Sequence, residues 1–166
     1  MSVLFAAIGA TIAALVELTV VPHIGIGSAH PHPVLVFGVI WALVVGFDGG
    51  LAAAFVGGLV LDALAGRPLG VTALALLLSV GGATLIGRWL PRARVLVPVL
   101  ATFVLSLCFS GILLVATGAL EGATPIRDPF GALLPGAVYD AFLAVLVGPI
   151  AVSIHDRRMA ETRIDW

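Results

Sequence analysis

Asp62 stands in the middle of the apolar run GLVLDALAGRPLGVTAL (58–74). A carboxylate turned to lipid there would cost several kcal/mol, so it must face something better. Glu17, in TIAALVELTVV, and Asp140, in GAVYDAFLAVLVG, pose the same problem. Intramembrane acids of this kind line an ion or ligand cavity, dock a partner, or hydrogen-bond a neighbouring helix. His30 and His32, with His23 nearby, are the other residues able to do chemistry. Their spacing is short, and neither cysteine nor a carboxylate cluster accompanies them, so an exposed polar loop is expected and not a metal site. No GxxxxGK[ST], GxSxG or HExxH pattern occurs. Catalytic, cofactor-binding and metal-binding residues are therefore not expected, and no cofactor is implied.

The elements that must position these acids follow from composition. Of 166 residues, 61% are hydrophobic and 10% charged, with a mean hydropathy of +1.21. A soluble domain needs a charged surface; this chain reads as an all-α membrane protein in which bilayer replaces water. Six apolar runs emerge, at about 3–21, 34–47, 51–65, 71–90, 95–118 and 133–154. They predict one integral membrane domain, a bundle of six transmembrane helices, with the second run short for a full span. HIGIGSAHPHP (23–33) reads as a loop, DGG (48–50) as a tight turn, and the proline-bearing EGATPIRDPFGALLPG (121–136) as a bent connection. The N-terminal apolar run lacks a basic leader, so it reads as a retained helix. Ser79, Thr84, Ser106 and Ser110 are expected to bond back to their own helices. Cys108 lies in an apolar run, outside disulfide chemistry.

All eight basic residues are arginines, and their placement orients the bundle. Arg88, Arg92 and Arg94 flank one turn, and Arg157, Arg158 and Arg163 follow the last run. Two spans separate these clusters, so both fall on the cytoplasmic side, with both termini. Arg67 and Arg127 are left outside.

Counting back from Asp62 by fours gives Gly58, Ala54 and Gly50. Four residues advance a helix by ~400°, so these form one small-residue strip along which a neighbouring helix can approach closely. Gly136, Asp140, Ala144 and Gly148 form a matching strip. The topology then turns Glu17, Asp62 and Asp140 inward, all toward the outer half of the membrane, where a shared polar interior is expected. A structural role is the first expectation for them, partner docking the second and a ligand cavity the third.

The stretch from Pro31 to Leu76 resembles the core of the MreD family of rod shape-determining membrane proteins. Its pattern is a proline opening a short apolar run that ends near an aromatic, a Gly-rich turn, a helix ending in G-x-x-x-D, then G-x-x-L-G. Pro31, Trp41, Gly58, Asp62, Gly66, Leu69 and Gly70 fill those places. Glu17 and Asp140 stand where the family often carries amides, and His32 where Asp or Asn is common. The resemblance implies a non-enzymatic component of the cell-elongation machinery in the bacterial inner membrane. It would bind the transmembrane helix of MreC and stand indirectly beside MreB filaments and the RodA/penicillin-binding transpeptidase pair that makes peptidoglycan. No nucleic-acid partner is implied, and self-association is left open. The family's fold is similar to the substrate-binding subunits of energy-coupling-factor transporters, which supplies the alternative: a small-molecule-binding subunit of a vitamin transporter.

Overall fold

With lipid outside and no water to expel, helices associate by close approach, and this chain puts its smallest residues where they meet. The computed structural model describes residues 2–24, 30–89, 96–121 and 129–161. Every element among them is helical: α1 (Ser2–Thr19), α2 (Val21–Ile24), α3 (Pro33–Val44), α4 (Phe47–Ala65), α5 (Val71–Trp89), α6 (Leu96–Glu121) and α7 (Pro129–Glu161). Phe47–Ala65, Val97–Leu120 and Leu133–Ser153 are long and apolar enough to cross a membrane. Val3–Thr19, Pro33–Val44 and Val71–Ala83 are shorter apolar stretches.

The shortest of these is the centre. α3 packs against α1, α4, α5, α6 and α7, and the surrounding helices touch in the order α1–α4–α5–α6–α7. Its buried Val34, Leu35 and Val39 join Leu76 and Val80 of α5 and Leu105 and Phe109 of α6 in the main core. Its 12 residues rise only ~18 Å, against a hydrocarbon thickness of ~30 Å. Its start is covered by the other helices, with Pro31, Val34 and Leu35 fully buried.

The strip on α4 is buried along its length. A Cβ on Gly50 would strike Ala42 of α3, one on Gly57 would come within 2.5 Å of Val34 Cγ1, and one on Gly58 would land on the backbone of Ala73 in α5. On α1, Gly9 leaves room for the Phe37 ring. The strip on α7 is less demanding: a Cβ on Gly136 would sit 3.4 Å from the His30 carbonyl, whereas one on Gly148 would meet nothing within 4 Å.

Several boundaries differ from the expectation. Asp48–Gly50 is not a turn but the first turn of α4. The reversal is made at Val45–Gly46, where Gly46 adopts φ 147°, a conformation open to glycine. Gly49 and Gly50 serve packing instead, against Trp41 and Ala42. Residues 129–136 are not part of a bent connection but the start of α7, with Pro129 in its first position and Pro135 and Pro149 inside it. Proline suits a first helical position, and neighbouring helices make interior prolines tolerable in a membrane. Residues 122–128 of that segment, Arg127 among them, lie outside the described residues, as do Arg92, Arg94 and Arg163. The loop expected from His23 is still helical to Ile24.

Candidate functional site

A helix that starts inside a bundle has backbone N–H groups that neither water nor its own first turn can satisfy. α3 solves this with residues from other helices. Its N-cap, His32, makes no capping bond with its own side chain. The His32 N–H donates to Asp140 Oδ1 of α7 at 2.6 Å. Pro33 has no N–H to lose. The Val34 N–H donates to Glu17 Oε2 of α1 at 3.1 Å. Two carboxylates at the positive end of a helix also suit its dipole.

Asp140 carries more than that one bond. Its Oδ2 accepts from the Ser106 hydroxyl of α6 at 2.5 Å and pairs with His32 Nδ1 at 3.0 Å. The His32 ring stands edge-on to Phe109, centroids 5.1 Å apart. Asp140 is wholly buried, 0% exposed. One side chain thus binds α7, α6 and the start of α3 together.

His32 precedes α3, outside the spanning segments. Burial pushes its imidazole down from the ordinary 6.5, but the bond to Asp140 and the charges of Asp140 and Glu17 outweigh burial and hold it higher. The folded protein thus binds this proton more tightly than the unfolded chain. The resulting stability is complete below the ordinary imidazole range and is lost as pH rises through the raised value. Thermal stability in detergent is therefore expected to fall across that window, and His32→Gln should flatten the profile. A wild-type protein whose melting temperature ignores pH there would exclude the ion pair.

Asp62 makes a separate site. Its Oδ2 accepts from Gly70 N at 2.8 Å, and the carboxylate accepts from Thr72 N at 3.1 and 3.2 Å and Ala73 N at 3.4 Å. These are the orphan donors at the start of α5. Its own carbonyl meanwhile accepts from Gly66 N, the C-cap of α4 at φ 66°, and from Arg67 N at 3.0 Å. A single residue ends one helix and starts the next. Gly66 and Gly70, at φ 66° and 98°, provide the left-handed turns between them, which a side chain would strain.

The expected residues are thus divided. Glu17 and Asp140 converge on the start of α3, while Asp62 takes its hydrogen bonds from the start of α5. Pro31 is buried beside the α3 start, and Trp41 packs against α1 and α4. Leu69, by contrast, is 73% exposed. The sequence alone does not mark His32 and Ser106 as partners for the acids. The signal for His32 was a helix opening at Pro33 with no Ser, Thr, Asp or Asn before it, which requires donors to be met from elsewhere. Ser106 bonds across to Asp140 and not back to α6, and Ser79 Oγ is buried with no partner among the described residues. Thr11, Thr19 and Thr117 do bond back along their helices. Among the described residues no group of three or more His, Cys, Asp or Glu side chains could hold a metal ion.

Fold and site define a helical membrane protein in which three acids, Glu17, Asp62 and Asp140, are engaged in starting its own helices. The chain belongs to the family of rod shape-determining protein MreD, whose family model matches residues 1–153. That family is one of shape-determining membrane proteins and not a known enzyme family. No curated protein and no solved structure gives a significant match to the chain.

Proposed function

We propose that this protein is a non-catalytic scaffold of the rod-shape machinery. It binds the transmembrane helix of MreC and helps link cytoplasmic MreB filaments to peptidoglycan synthesis outside. The observation that carries this reading is the family match over residues 1–153. The use of the acids supports it: Glu17, Asp62 and Asp140 each accept backbone N–H bonds at helix starts. Acids held in this way favour a structural role over a vitamin-binding cavity lined by these three acids. In this reading the six apolar helices all cross the membrane, the short α3 within a shell of the others, with both termini cytoplasmic. The Gly and Ala strips and the exposed apolar faces are the surfaces offered to partners.

The test is retention. The full chain, tagged and extracted in mild detergent from cells co-expressing MreC, is expected to hold MreC through purification. An unrelated tagged membrane protein should not. Equal MreC in both preparations, or none in either, would overturn the scaffold reading.

A further inference from the structure

α7 grips the centre of the bundle differently from the other helices packed on α3. The main core is shared by α1, α3, α4, α5 and α6, and among the described residues α7 contributes nothing to it. α7 packs on α3 and α6 alone, and its apolar contact with α3 is a separate small cluster centred on Val36, Ile40 and Ala144. Its buried face consists of Gly136, Ala137, Asp140, Ala144 and Gly148, so the carboxylate is the largest side chain it buries. The interlock seen on α4 is missing here, since a Cβ on Gly148 would meet nothing within 4 Å.

The hold of α7 on α3 is therefore mainly polar. Asp140 accepts from the His32 N–H at 2.6 Å and pairs with His32 Nδ1 at 3.0 Å. Its third bond, from Ser106, belongs to α6 and survives if α7 leaves α3. The only other tie is a long one, from the Tyr139 hydroxyl to the Ile24 carbonyl at 3.4 Å. His32 is surrounded by Asp140 of α7, Glu17 of α1 and the Arg67 charge beyond α4, with Phe109 of α6 edge-on to its ring. The titratable group of α5, Arg88, lies at the far end of that helix, and Asp62 of α4 is engaged by the start of α5. The His32 side chain is 22% exposed, so it exchanges its proton with water.

We infer that α7 is a latch helix, standing against α3 while His32 is charged and swinging outward on α6 when His32 loses its proton. A neutral imidazole still offers one N–H, but it leaves Glu17 and Asp140 facing each other across the α3 start without the cation between them. Like charges in a poorly polarisable interior repel strongly. The apolar contact that resists separation is made by alanine and glycine, whereas the helices of the main core are held independently of this pair. Loss of the proton thus acts on one helix and bares the Val36 and Ile40 face of α3.

Distances between spin labels test the latch in the full chain, reconstituted in phosphatidylethanolamine–phosphatidylglycerol vesicles without any partner, so the outcome does not touch the scaffold reading. Cys108, the one cysteine, is replaced by serine. Labelled cysteines replace exposed Val16 of α1 and Val138 of α7, or Val16 and Leu64 of α4 as the reference pair. Between about pH 5.5 and about pH 8.5 the longer-distance population of the α1–α7 pair is expected to rise about tenfold, while the α1–α4 pair keeps its distance. His32→Gln, a neutral donor, should show the longer distance at both pH values. Asp140→Asn removes the acid that needs the cation and keeps an oxygen for the His32 N–H, so it should show the shorter distance at both. An α1–α7 distance in the parent that ignores pH would overturn the latch. So would equal lengthening of both pairs, which is a loosening of the whole bundle, or a shift of both variants in the same direction.

Discussion

Replacing Gly58 with leucine is expected to leave little folded protein in detergent extracts. The glycine stands where α4 crosses the start of α5, and a Cβ built there would fall on Ala73, 2.7 Å from its backbone nitrogen and 2.9 Å from its Cβ. A flexible side chain can step aside; a helix backbone cannot. The crowded atoms are also next to the N–H that Asp62 holds, so relieving the clash by separating the helices breaks the cap as well. The combined cost is about 3 kcal/mol or more, a large part of the ~5–15 kcal/mol typical of folded domains. Gly148→Leu is the internal control, because no atom lies within 4 Å of the added Cβ. Monodispersity on size exclusion and the melting temperature in detergent read the difference. If both variants behave like the parent, α4 and α5 do not meet at Gly58.

The second large effect is expected at Asp62. Leucine there would leave the N–H groups of Gly70, Thr72 and Ala73 without an acceptor at a buried helix start. Each unsatisfied buried donor costs about 1–3 kcal/mol, though the three share one carboxylate and will not add fully. A loss of roughly 3–5 kcal/mol follows. Asparagine keeps one carbonyl oxygen in place and gives up only the charge and the second acceptor, for roughly 1–2 kcal/mol. Hydrogen exchange gives a readout specific to the cap, since amides at the start of α5 should exchange faster in both variants and fastest in Asp62→Leu. Equal damage from Asn and Leu would show that charge, and not hydrogen bonding, is what the site requires.

Much of this was legible in the sequence, but only as directions. The small residues at four-residue steps before Asp62 said which way it points, because helical phase depends on nothing beyond the helix itself. What it touches depended on the turn from Gly66 to Gly70, whose positive φ angles fold the start of α5 back onto α4. Glu17 and Asp140 were placed at similar depth, yet their meeting point was hidden. It is set by a third segment, His32–Val34, whose backbone donors enter the bundle only because α3 starts there. Gly49 and Gly50 show the opposite failure. Two glycines after an aspartate read locally as a reversal, while here they admit Trp41 and Ala42 to the side of a helix. Local chemistry cannot tell a glycine that bends the chain from one that clears space for a neighbour.

The borrowed acceptor at the opening of α3 also bears on biogenesis. The His32 amide finds its partner in a residue 108 positions further along the chain, on a helix made well after α3. Until that segment has been threaded into the bilayer, the middle of the molecule carries an exposed peptide donor and an unmatched imidazole. The interior at the α3 start is therefore closed only when α7 arrives, long after α3 itself has been made.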